Sequence, residues 1–247
     1  FLIYLGSFKG VFPFHVWLPH AHPAAPSHIS AVMSGVMIKT GIYGILRMTD
    51  ILELYTPAVG TMVLVFGVVS GVLGVVYALG QHDLKRLLAY HSVENIGIIL
   101  IGIGIGIIGV ATDTPLMAVL GFAGGLLHVL NHAIFKSLLF MGAGVVLHKT
   151  GSRTIDALGG LLKKMPVTGA TFLVGALAIC GLPPFNGFVG EFLIYLGSFK
   201  GVAAETPVLA LSLLAIVGLA VIGGLALACF SKVVGVVFQG EARSPGA

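Results

Sequence analysis

Apolar runs of about 20 residues, the length that crosses a hydrocarbon core of about 30 Å as a helix, follow one another along the chain. Only short polar or Pro/Gly-containing breaks separate them. They predict spans at 1–19, 27–49, 58–80, 86–110, 116–147, 166–201 and 207–238. Two spans are interrupted, the first at Pro13 and the sixth at Pro183-Pro184, inside Gly181-Leu182-Pro183-Pro184-Phe185-Asn186-Gly187. Broken backbone is tolerated at membrane depth only where it is buried in protein or lines a wet cavity. Two such breaks in corresponding places suggest the inverted-repeat construction of transporters, with a plain proline kink as the alternative for each. The pattern therefore predicts an all-α, polytopic integral membrane protein with about seven transmembrane helices, two of them broken.

Composition agrees: of 247 residues 57% are apolar and only 9% charged, against the roughly 25% charged residues usual in soluble domains. Mean hydropathy is +1.07. The few charges sort by loop. Lys85 and Arg86 lie in 81–86 and Lys149, Arg153, Lys163 and Lys164 in 148–165, whereas Asp50 and Glu53 lie in 50–57 and Asp113 in 111–115. Seven spans put both basic loops and the C-terminal tail on one side, and the positive-inside rule makes that side cytoplasmic, in the cell inner membrane. Lys85, Arg86, Lys163 and Lys164 read as topology anchors. The net charge of +4 thus speaks of topology and not of nucleic acid.

The segment Phe1 to Val11 recurs without a change at Phe192 to Val202. One copy precedes a break and the other follows one, so they are not equivalent positions of an inverted repeat; a duplicated or chimeric terminus is expected for 1–11. The chain starts at Phe1 without the charged region or cleavage site of a signal peptide, and reads as a fragment of a longer protein. The expected organisation is 1–11 as the duplicated segment, 12–240 as a partial transmembrane domain, and 241–247 as a cytoplasmic tail.

Chemistry is concentrated in ionisable groups within the spans. Lys39 lies in the middle of an apolar helix, where an ammonium costs roughly 2.5–3.5 kcal/mol on insertion scales and normally marks an ion or proton path. His128, His132 and Lys136 are spaced four apart and line one stripe of a helix, with Asn131 and Ser137 nearby. Titratable groups in register at membrane depth suit a proton relay; a single one would suit a helix contact. Glu191 follows the second break, where a carboxyl could exchange protons with a cavity or form a structural ion pair. His91, Glu94 and Asn95 open the fourth span and read as an interfacial polar patch, with the mouth of a proton path as the alternative.

No cofactor or metal is expected. His15, His20, His22 and His28 cluster without a cysteine or carboxylate to complete a ligand set. Haem ligation by His128 and His132 would need a partner histidine on another helix. Cys180 and Cys229 lack CxxC spacing and read as small core residues. There is no Walker loop, and the glycines from Gly102 to Gly109 sit in an apolar run where they permit close helix packing.

Five ordered motifs carry a resemblance. Pro13-Phe14-His15-Val16-Trp17-Leu18-Pro19-His20-Ala21-His22-Pro23-Ala24-Ala25-Pro26-Ser27 opens the series, followed by Lys39 to Arg47, Asp83 to Tyr90, Asn131 to Phe140, and Gly181 to Glu191. Together they resemble the antiporter-like membrane subunits of respiratory complex I, multisubunit cation/proton antiporters and membrane-bound hydrogenases, over residues 12 to about 240. The form Tyr90 to Gly97, with Pro19 to Pro23, is most similar to the large antiporter-like subunits of formate hydrogenlyase and hydrogenase-4, of which this length would be only a part. The resemblance implies a chain of buried Lys, His and Glu joining two half-channels built on broken helices. On it Lys39 matches the central relay lysine, His128 and His132 the linking histidines, and Glu191 the ionisable group at the second break; Lys136 lies in the same motif as the histidines. The family also carries a lysine in the first broken helix. Lys9, six residues before His15, stands nearest to that place, inside the repeated segment. The lysine's glutamate partner would lie upstream of Phe1.

The function so implied is that of a non-redox, proton-translocating subunit, non-catalytic itself, within an oxidoreductase complex. Its partners would be other membrane subunits, a peripheral redox arm, protons or sodium ions, and lipid. A sodium/proton antiporter subunit and a purely structural membrane anchor are the alternatives.

Overall fold

A computed structural model describes residues 10–202 and 206–243. All the regular elements described are helical, joined by short turns and one isolated β-bridge, Asp83 to Thr154. A short helix α1 (Leu18–Ala24) leads into α2 (Ser27–Ile51), which widens into a π turn at Met33–Met37. Then come α3 (Pro57–Leu79), α4 (Leu84–Ala111), α5 (Pro115–Thr150), α6 (Pro166–Ile179), α7 (Asn186–Val202) and α8 (Thr206–Val233), the last continued by a π turn at Val234–Gln239. Five of these helices are long and apolar enough to cross a membrane.

The expected spans 27–49, 58–80, 86–110, 116–147 and 207–238 each match one long helix to within a few residues, and 166–201 resolves into α6 and α7 across the break. The expected span 1–19 lies outside the described residues up to position 9, as does Lys9. Its described end differs from expectation, because helix runs on to Ala24 through Pro19 and Pro23. Pro19 falls in the first turn, where its missing N–H is no loss. Both breaks contain a cis X–Pro bond, Phe12-Pro13 and Pro183-Pro184.

Local chemistry sets the helix ends. Thr56 Oγ1 accepts from the Val59 N–H at 3.3 Å, with Pro57 in the first turn of α3. Asp83 Oδ1 accepts from the N–H groups of Lys85 and Arg86 at 2.9 and 3.0 Å, capping α4. Gly151, at φ +70°, closes α5 in the left-handed conformation that glycine adopts without cost.

Helix α4 is the axis of the bundle. In its most apolar window 94% is buried, against 33–50% for the other four long helices. Burial all round requires neighbours to approach closely, and glycines allow it on two faces. Towards α3, a Cβ on Gly97 would collide with the backbone of Gly67 and Gly71, and one on Gly104 would come 2.7 Å from Leu64. Towards α5, Gly102 meets Gly125 and Gly106 meets Phe122. The packing expected of Gly102 to Gly109 is therefore present.

One end of the bundle gathers the basic segments. Arg153 pairs with Asp83 and donates to the Pro23 carbonyl at 2.7 Å; Lys85 Nζ donates to the Ala25 carbonyl at 2.5 Å. His82 and Asp156 meet at 2.6 Å, and residues 240–242 pack on Gly159 and Gly160. Both basic loops and the chain's C-terminal segment thus share one face. Lys85, read as a topology anchor, is buried on this face because its ammonium caps the carbonyl end of α1.

Candidate functional site

Lys39 projects from α2 just beyond the π turn, a wide-turn feature that recurs at functional positions. Its Nζ donates to the Ser34 carbonyl within that turn and lies 2.5 Å from Nδ1 of His132 on α5. As an ammonium it donates to the imidazole nitrogen, and as an amine it accepts from it, so one contact serves both states of a shared proton. The approach of α2 to α5 depends on Gly35, where a Cβ would come 2.7 Å from Ser137 Oγ.

Four residues along α5, Lys136 is wholly buried. Its Nζ donates to the Leu88 carbonyl of α4 and sits 5.4 Å from the centre of the Phe140 ring, the placement of a cation–π contact. Two hydroxyls stand between the lysines. Ser34 Oγ and Ser92 Oγ are 2.8 Å apart, and Ser92 Oγ also donates to the Leu88 carbonyl at 3.3 Å. The two ammonium groups are therefore joined through the carbonyls and hydroxyls of Ser34, Ser92 and Leu88.

On the other side of His132, His128 Nε2 lies 3.0 Å from Asn95 Oδ1, and Asn95 Nδ2 donates to the His91 carbonyl at 2.8 Å. Phe135 meets both His128 and His132 edge-on, holding the rings apart. The His128 ring also meets the backbone of Gly187, and Nε2 of His132 is buried without a hydrogen-bond partner among the described residues.

The second break is pinned to this helix. Asn131 Nδ2 donates to the Asn186 carbonyl at 2.7 Å, fixing the start of α7 beside His128, and Gly190 lets α7 press on the His128 ring. Glu191 follows on α7 and is nearly buried. Its carboxyl lies against Gly181, whose φ of +62° makes the turn of the break; a Cβ there would come 2.6 Å from Oε2.

The structure thus brings Lys39, His132, His128 and Lys136 into one layer, with Glu191 at its edge and not hydrogen-bonded to the cluster's described side chains. His91, Glu94 and Asn95, read as an interfacial polar patch or the mouth of a proton path, are all fully buried within the bundle, as is Ser92, because α4 is enclosed on every side. Asn95, already singled out with His91 and Glu94, joins the site through His128, while Ser34 and Ser92 were missed. The only signal they offered was polarity inside an apolar helix. His22 was weighed as a metal ligand; it stacks on Phe140 at 4.6 Å, beside the Lys136 layer, with neither ring nitrogen hydrogen-bonded among the described residues.

Comparison with known proteins agrees with this architecture. The profile described as NADH:quinone oxidoreductase/Mrp antiporter, TM, matches residues 7–223. Hydrogenase-4 component B of Escherichia coli is 46% identical over 243 residues, which is 97% of this chain and 36% of that protein. Formate hydrogenlyase subunit 3 of the same organism is 46% identical over 245 residues, 98% of this chain and 40% of that protein. The chain therefore spans well under half the length of these relatives. A chain of the Mrp complex from Dietzia superposes with a TM-score of 0.83 at 28% identity, covering 98% of this chain and 41% of that one. With five membrane-length helices, a matching fold and a family profile spanning most of its residues, the chain belongs to the antiporter-like membrane subunits of the NADH:quinone oxidoreductase/Mrp antiporter family.

Proposed function

We propose that this chain is the relay-bearing part of a non-redox, proton-translocating subunit in a respiratory-type complex of the membrane-bound hydrogenase or NADH:quinone oxidoreductase kind. Electron transfer in partner subunits, including a peripheral redox arm, would drive proton movement through it across the cytoplasmic membrane. The observation that carries this reading is the direct Lys39–His132 contact at 2.5 Å in a buried layer shared with His128 and Lys136. Lys39 holds a proton and passes it to His132; His128 carries the path towards the second break; Glu191 exchanges it there. Lys136 supplies a second buried cation whose charge responds to that on Lys39. A purely structural anchor would need its buried polar groups paired, and the nitrogens of His22 and His132 that have no partner among the described residues speak against it.

The test uses the full-length subunit in its assembled complex, in sealed vesicles. Lys39→Ala and Glu191→Gln are expected to lower proton translocation by about tenfold or more while electron transfer and assembly persist. Undiminished translocation in both variants would falsify the relay. The likeness to a chain of the Mrp complex favours one second reading, a subunit of a sodium/proton antiporter. Sodium uptake driven by an imposed pH gradient, without any electron donor, would establish it instead.

A further inference from the structure

Helix α4 carries a buried acid–base pair that the relay above does not use. His91 Nδ1 and Glu94 Oε2 share a hydrogen bond one turn apart, and both side chains are essentially inaccessible. The His91 ring also meets the Cys229 thiol of α8, a weak partner, and Glu94 Oε1 has no hydrogen-bond partner among the described residues. Burying such an oxygen costs about 1–3 kcal/mol, more when charged, and a purely structural pair gains nothing from it. The surroundings are otherwise closed: the Phe230 ring of α8 packs tilted against the His91 ring at 4.6 Å, and the Gly74 backbone of α3 presses on the Glu94 backbone.

The pair nevertheless communicates with the relay at two points. Asn95 joins the His91 carbonyl to His128 Nε2. Lys136 is seated on the Leu88 carbonyl, and Leu88 precedes His91 by three residues of α4, a rise of roughly 4.5 Å. The Lys136 ammonium and the Glu94 carboxylate attract each other electrostatically. Glu94 is therefore an acid placed to balance Lys136, on the side of α4 that faces α3 and α8.

We infer that the His91–Glu94 pair is a proton-storage site off the relay axis that exchanges one proton with Lys136. In the loading step an N–H bond of the Lys136 ammonium breaks and an O–H or N–H bond forms on the pair. Lys136 becomes a neutral amine, and the pair goes from a net charge of −1 to zero, so the total charge is unchanged. Unloading reverses the step and restores the ammonium. Loading removes the cation that repels a proton on Lys39; unloading restores it. The inference rests on the proposed relay, and the test separates the two.

The experiment is infrared difference spectroscopy on the complete complex during redox turnover, with translocation measured in vesicles. Glu94→Gln is expected to remove a carboxyl-stretch band present in the wild type and to lower the proton-to-electron ratio about twofold or more, whereas Glu94→Asp retains both. If Glu94→Gln reduces assembly, His91→Gln keeps the carboxyl but changes its partner, and the band should shift. A band unaffected by Glu94→Gln or by His91→Gln, or an unchanged ratio in Glu94→Gln while Lys39→Ala abolishes translocation, overturns the inference. Loss of the band in Glu94→Gln with translocation intact in Lys39→Ala overturns the relay and leaves the storage site standing.

Discussion

Ser34 and Ser92 connect the two buried lysines, and their value lies in pairing each other's hydroxyls. Ser92→Ala leaves Ser34 Oγ buried without its partner and is expected to cost about 1–3 kcal/mol. The double alanine variant should cost less than the sum of the two single ones, because it removes donor and acceptor together. Thermal unfolding of the purified protein in detergent measures both. Lys39, His128, His132, Lys136 and Glu191 were legible in the sequence because a titratable group at membrane depth is too costly to be incidental. The serines were not, since a hydroxyl in an apolar helix looks the same whether it fills space or joins two cations. His91 and Glu94 were visible, but residues at the opening of a helix give no measure of what covers them.

At the scale of elements, the close crossing of α3 and α4 has no slack. Gly97→Val places two methyl groups where the Gly67 carbonyl and the Gly71 backbone already stand, and backbone cannot rotate aside. The expected penalty is at least about 1–3 kcal/mol, seen as a lower unfolding midpoint and a smaller yield of assembled protein; wild-type stability would show that the helices can part at no cost. The helices themselves followed from apolar run length, and the second break from Pro183-Pro184. What the sequence pattern could not show is that α4 is the enclosed one. Its mean hydropathy, 2.2, lies below those of α3 and α8, at 2.4 and 2.7, so hydropathy does not separate a helix facing protein from one facing lipid.

For the whole molecule, the ion pair Asp83–Arg153, the His82–Asp156 contact and the packing of residues 240–242 on Gly159 and Gly160 place the basic loops on a common face. The loop containing Asp113 joins α4 to α5 at the other end. Cysteines introduced at His82 and Thr154 should react with an impermeant maleimide added from the cytoplasmic side, and one at Asp113 only from the opposite side. The native Cys180 and Cys229 are buried and should give little background. Labelling of all three from one side would refute the arrangement.

The second break also has a mechanical meaning. Gly181 makes the turn between α6 and α7, and the same residue is the wall against which the Glu191 carboxyl rests. The joint of the broken helix and the cover of its acid are one piece of backbone. Any side chain placed at 181 would strain the turn and strike the carboxyl at once, so the shape of the break and the setting of its acid cannot be altered separately at this residue.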